Sequence, residues 1–311
     1  GNYTFYKCSS LTQISIPSSV TSIGNNVFAK CTSISKITIP SSVTKITKGS
    51  FKGCKSLVTI SIPNTITTIE QESFKGCSKI KNISIPESVT SIGNNAFESC
   101  SSLQQITIPK SVTSIGSSAF YSCSSLQQIT IPESVTSIGS SAFYSCSSLQ
   151  QITIPESVKS IGSSAFYSCS KLQSIVIPPS ITSISNNAFQ NCSSLRKVVI
   201  PPSVTSFGSN VFNSCSNIQE VECDIYKISF TSIFPNYNSI TNLKINTTTN
   251  SLYNNNLYQM SNLKEITITG PVTTIGDSSF YNLSQLQQII IPKSVTSIGN
   301  NAFYSCSNLE I

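Results

Sequence analysis

The sequence predicts a repeat solenoid, α/β to mainly β in character, of about thirteen stacked 23-residue units, and three observations predict it. The stretch Cys123–Ser145, CSSLQQITIPESVTSIGSSAFYS, recurs from Cys146 with Lys159 for Thr as its only change, and Cys100 opens another near-copy. Ten cysteines, from Cys8 to Cys215, follow one another at 23-residue steps. The pattern Leu-x-x-Ile-x-Ile starts at Leu11 and ends at Leu309 with the same step throughout, except for 22 residues between Ile218 and Ile240. Self-similarity at such a period decides the architecture before any local reading, because one unit cannot bury its apolar row alone and stacking can.

Each element of the unit has a reason. In Leu103-Gln104-Gln105-Ile106-Thr107-Ile108 the apolar positions alternate locally, as in a half-buried strand. Pro109 lacks an N–H for a sheet ladder and ends it. Val112 and Ile115 flank Thr113 and Ser114, which predicts a second short extended segment. Gly116 is expected to take a left-handed turn. Ser117 and Ser118 resemble a cap for one short helical or 3-10 turn carrying Ala119, Phe120 and Cys123. Thirteen of the fifteen Phe fall in one column, with Phe207 and Phe230 in the column of Ile115. Parallel strands about 4.8 Å apart give an arc roughly 60 Å long.

Residues 223–262 look irregular, yet the anchor passes through them: Ile218, Val221 and Cys223, then Ile240, Leu243 and Ile245, fill the strand pattern. Tyr237, Met260 and Leu283 continue the Cys column, and Phe234 and Leu257 the Phe column. The stretch from about 219 to 262 is therefore read as degenerate units rather than an insertion. Residues 1–311 are expected to form a single solenoid domain. The chain starts and stops inside a unit, so a fragment of a longer array is expected, whose polar caps, targeting and anchoring signals lie elsewhere.

Leu-x-x-Ile-x-Ile-Pro followed by Val-x-x-Ile-Gly-x-x-Ala-Phe-x-x-Cys closely resembles the BspA-like leucine-rich repeats, also called the Treponema pallidum type or LRR_5. The resemblance covers the whole chain, with departures at 223–262 and at Thr269-Gly270-Pro271. It implies a right-handed horseshoe with a parallel sheet on its concave face, and membership of a group of surface proteins linked to adhesion.

Composition narrows the function. Charged residues are 10% of the chain, against a usual figure of roughly 25%. Residues 1–81 hold ten Lys and two acids, +8, while the remainder carries −1. That basic third could attract sulfated glycan or another polyanion. Arg196 is the only Arg, which disfavours nucleic acid, and no apolar run of membrane-spanning length occurs. Without a single His, Ser–His and Cys–His catalytic pairs are excluded, and Asp occurs only at 224 and 277. No enzyme, cofactor, metal site or small-molecule substrate is expected. The Cys column runs parallel at strand spacing, unsuited to the geometry of disulfides, so free, buried thiols are expected.

Binding remains, and a solenoid offers its concave face for it. Its exposed columns are mostly a neutral Gln/Thr ladder, which changes from about the eighth unit onward. There Val176 and Val199 stand beside Arg196, Lys197, Glu220, Glu222 and Lys244, an apolar pair among mixed charges that suits a protein contact. Tyr121, Tyr144 and Tyr167 form a second candidate, an aromatic ladder for glycan or protein or a shield over the core's corner. Glycosylation sequons occur at Asn2, Asn82, Asn191, Asn246 and Asn282. The expectation is a non-enzymatic adhesion module at the cell surface that binds a protein or glycan macromolecule. The alternative is an intracellular (cytoplasmic) protein-interaction scaffold.

Overall fold

The computed structural model describes residues 1–253 and 257–310. The chain winds as a parallel β-solenoid in which every strand pairing joins residues one repeat apart. One row of strands follows the Leu-x-x-Ile-x-Ile pattern, from Lys36–Thr38 through Gln105–Thr107 to Gln288–Ile290. Within it the side chains alternate: Gln105 and Thr107 are exposed and Ile106 is buried. The 22-residue step is absorbed without loss of register, since Glu220 pairs with Asn242 and Cys223 with Ile245. A second row of two-residue strands begins at Lys45–Ile46 and includes Ser114–Ile115, as the β-favouring residues around Val112 predict.

Eleven turns of the first row carry a strand among the described residues, against thirteen expected. One is the turn at Gln13–Ser15, where Leu11, Ile14 and Ile16 are only partly buried against the core. The other lies at 151–153. It keeps Leu149, Ile152 and Ile154 buried, and its second-row strand Ser160–Ile161 stays paired in register with Ser137–Ile138, though not with Ser183–Ile184 beyond it.

The third side of each coil is not helical. From Gly116 to Cys123 backbone N–H groups alternate between two acceptors. Ser118, Phe120 and Ser122 donate to Ser140, Ala142 and Tyr144 of the next coil at 2.7–2.8 Å. Ala119, Tyr121 and Cys123 close successive three-residue turns onto Gly116, Ser118 and Phe120 at 3.1–3.2 Å. A helix would spend all these donors inside its own coil, and the inter-coil rungs win. Among the described residues only the degenerate stretch is helical, at Phe230–Ile233, Tyr237–Ser239 and Leu257–Gln259. Phe230 is drawn into that helix, which leaves a break in the second row between Ser206–Phe207 and Ser251–Leu252.

The residue pair after Gly116 also differs from the expected helix cap. Ser118 and Ser122 adopt φ +55° and +56°, and their columns hold Asn95, Asn187 and Asn191 in the same left-handed state. These are third positions of the tight turns, where a positive φ is required. Gly116 itself is not left-handed. A Cβ there would lie 2.7 Å from the backbone of Gly93 and Asn94, so the glycine is selected by close coil-to-coil approach. The first residue after the glycine also links coils: Asn94 Oδ1 accepts from Ser117 N at 2.8 Å, and Asn186 Oδ1 from Ser209 N at 2.8 Å.

The core is a set of columns in which each side chain packs on its own copy. Phe5 to Phe234 form an unbroken stack of eleven rings, with centroids 5.0–5.7 Å apart and planes within 13°. Stacked pairs add about 0.5–1.5 kcal/mol beyond area burial. Leu257 ends the stack, and Phe280 and Phe303 resume it at 5.3 Å.

The cysteines are free, and ten of the twelve are buried. Their thiols do more than fill space. Cys123 Sγ donates to Phe97 O at 3.2 Å and Cys146 Sγ to Phe120 O at 3.2 Å, and the pattern holds from Cys31 to Cys215. Burial pushes the thiols of Cys77, Cys123 and Cys146 well up, and those of Cys100 and Cys169 to about 12. Hydroxyls make similar links, as in Ser134 Oγ to Val112 O at 2.6 Å.

Two predictions follow from this packing. In the folded protein at pH 8, an aromatic disulfide reagent should modify Cys8 quickly and Cys306 more slowly, and reach the ten buried thiols only after denaturation. Rapid native modification of Cys123 or Cys146 would contradict the thiol ladder. Gly139→Ala places a Cβ 2.5 Å from Ser117 N and should lower stability by about 1–3 kcal/mol in urea unfolding. Gly139→Ser should cost about 1 kcal/mol less. Ser185 in the same column shows why, its Oγ bonding Ile161 O at 2.7 Å.

Candidate functional site

Four neighbouring strands, Ser174–Val176, Lys197–Val199, Glu220–Cys223 and Asn242–Asn246, bring six of the seven residues singled out in the sequence onto one face. Strand alternation turns the inner residue of each, Ile175, Val198, Val221 and Leu243, into the core. The outer residues form two rows in register. One runs Ser174, Lys197, Glu220, Asn242, and the other Val176, Val199, Glu222, Lys244. Arg196 immediately precedes its strand and is exposed, and its carbonyl accepts from both Gln219 N and Glu220 N at 2.9 Å.

The charges on this face are paired along the rows. Lys197 Nζ lies 2.5 Å from Glu220 Oε1, and Lys244 Nζ 3.1 Å from Glu222 Oε1. Asn246 Nδ2 also donates to Glu222 Oε1 at 3.2 Å, which fixes that carboxylate more firmly. Exposed pairs of this kind contribute roughly 0–1 kcal/mol to stability. Val176, by contrast, is left 56% exposed, while Val199 is half-buried. The face is thus an apolar spot bordered by two locally neutral ion pairs.

Val176 also borders a pocket of 390 Å³ with Glu133, Gln151, Thr153, Glu156 and Pro178. The pocket sits on the coil where the first-row ladder is interrupted. Sequence reasoning passed over its polar lining for a clear reason: Gln151-Ile152-Thr153 is identical to Gln128-Ile129-Thr130, which is a strand. The one residue that differs in the unit, Lys159, does not line the pocket.

The tyrosine ladder is ordered but closed. Tyr121, Tyr144 and Tyr167 stack at 4.6 and 4.5 Å with planes within 11°, so the rings cover one another's faces. Burial, followed by the neighbouring phenols of Tyr167 and Tyr121, raises the Tyr144 hydroxyl above its ordinary range. Asn191 Nδ2 donates to Tyr167 Oη at 3.0 Å and finishes the row. Such a row shields a corner and offers edges rather than a stacking platform. Asn82 is exposed on the strand face. Among the described residues no helix is long and apolar enough to cross a membrane.

The chain was compared with known proteins. Those of curated function give no match. A leucine-rich repeat protein from Bacteroides ovatus is 30% identical over 100% of this chain and 80% of its own, with a TM-score of 0.69. A leucine rich cell surface protein from Faecalibacterium prausnitzii is 31% identical over 95% of this chain and 76% of its own, with a TM-score of 0.52. The leucine-rich repeat protein of T. pallidum is 30% identical over 59% of this chain and 77% of its own, with a TM-score of 0.48. The family described as "BspA type Leucine rich repeat region" matches residues 1–127, 113–234 and 224–310, in six copies. A 23-residue coil with a first-row strand, a glycine where coils touch and a thiol at the corner therefore has its place among known repeats: the chain belongs to the BspA-type leucine-rich repeat family, LRR_5.

Proposed function

We propose that this chain is a recognition module, without catalytic activity of its own, that stands at the cell surface and holds a host or microbial macromolecule against its strand face. Leucine-rich repeat solenoids of this family are binding scaffolds. One observation carries the choice of face: Val176 projects from a mostly polar ladder with Val199 next in its row, beside the Lys197–Glu220 and Lys244–Glu222 pairs and above the 390 Å³ pocket. An apolar centre within a polar rim is the usual anatomy of a protein contact. Val176, Val199, Arg196, Lys197, Glu220, Glu222 and Lys244 form this contact, with a protein as the favoured occupant. The surface location draws support from the Faecalibacterium prausnitzii protein, whose description places it at the cell surface.

Antibody staining of intact, unpermeabilised source cells should label their surface. Staining that appears only after permeabilisation would overturn the surface reading in favour of an intracellular scaffold. For the face, labelled protein carrying Val176→Asp, or Lys197→Ala with Glu220→Ala, should bind epithelial monolayers at least about tenfold more weakly than the parent. All three side chains are exposed, so the variants should unfold at nearly the parent's urea midpoint. Unchanged cell binding by both would remove this patch as the site.

A further inference from the structure

We propose a second binding site, on the turn side of the solenoid away from the strand face, that takes a linear sulfated polysaccharide laid along the solenoid axis. The lysines of the first 81 residues are not spread evenly around the coil. Lys30, Lys48, Lys55 and Lys79 all fall in the arc that corresponds to Asn94–Ser102, in three successive coils. All four are exposed, and none has a carboxylate within ion-pair distance among the described residues. The acids nearby are engaged. Glu72 holds Lys52 at 2.8 Å and Lys75 at 3.5 Å, and Glu98 holds Lys75 at 2.8 Å. The carboxylate of Glu70 accepts the backbone N–H of Lys48 at 3.0 Å. The positive charge left over is therefore concentrated on one side of one end of the array.

The same arc supplies a path. An open trough of 780 Å³ begins at Lys55 and runs parallel to the axis through Ser78, Ser101, Ser124 and Ser147 to Ser170. Its other wall is Gly76 and the left-handed serines that follow it in the column, Ser99 to Ser168. The cations select an anion, and the straight, hydroxyl-lined trough suits a regular polar chain whose hydroxyls exchange hydrogen bonds with serines. Single-stranded nucleic acid would need open aromatic faces for its bases, and the adjacent tyrosines have theirs covered by one another. An acidic protein would seek an apolar or aromatic anchor, and the trough wall has none.

The test uses the full chain and a heparin-derived decasaccharide, titrated at low salt and at about 0.15 M salt, where the Debye length is about 8 Å. The combined variant K30Q/K48Q/K55Q/K79Q should lose at least about tenfold in affinity, roughly 1.4 kcal/mol. It should also show a shallower salt dependence. A control with the same net charge, K110Q/K159Q/K264Q/K293Q, should stay within about twofold of the parent, because it removes exposed lysines outside the arc. Val176→Asp should leave heparin binding unchanged, which separates this site from the strand-face contact. Equal losses in the two lysine variants would reduce the effect to overall charge and overturn the site. Equal affinity for a single-stranded oligonucleotide of matched charge would overturn the ligand class. Failure of the parent to bind the decasaccharide at about 0.15 M salt would overturn both.

Discussion

Every side chain in this protein must tolerate a copy of itself one coil away. That single translational constraint explains the composition as well as the core. Apolar columns profit from it, since a Phe on a Phe or an Ile on an Ile buries matched surfaces without gaps. Charged columns suffer. Two like charges at such a spacing repel by about 1 kcal/mol even in bulk water, and the penalty recurs at every coil. A charge content of 10% is the consequence, with Ser, Thr, Asn and Gln taking the exposed columns. Where charge does enter a column, a carboxylate and an ammonium come to lie in register, as at Lys197–Glu220 and Glu222–Lys244.

The polar columns are held to the same rule in a different way. A buried donor or acceptor must find its partner in the neighbouring coil, because its own coil repeats the same unmet need. The cysteine thiol is a weak donor that tolerates an apolar corner and still reaches a carbonyl of the preceding coil. Its replacements Met260 and Leu283 keep the burial and give up the bond. Asn in the column after the glycine bonds the next coil's backbone, while Asn or Ser one residue later accepts a left-handed φ.

Much of this was legible in the sequence. Period, register across the shortened step, both strand rows, the Phe column and the free thiols all follow from which residue recurs at which position. The turn side was misjudged because Ser117-Ser118 ahead of Ala119-Phe120 looks the same whether it caps a helix or links two coils. What decides between them is the competing acceptor one coil away, which lies outside any local window. Gly116 was assigned the wrong reason for the same cause: its lack of a side chain answers to Gly93 and Asn94, not to its own φ. The residues proposed for the strand-face contact were readable as columns. The pocket beside them was not, because the coil that forms it differs from its neighbour only at Lys159, which does not line the pocket.

Beyond Ser174 the two strand rows differ in continuity. From Ser174 to Ile290 the first row is one six-stranded ladder, whereas the second row is open between Phe207 and Ser251, and the ring stack lapses at Leu257. One wall of the tube is welded there and the opposite wall is slit. A beam built that way has a preferred hinge line. Bending about the intact ladder strains few bonds, and bending at right angles to it strains many. A pull along the array would then flex it at these coils first, turning the strand face that carries Val176 and its ion pairs before any coil unwinds.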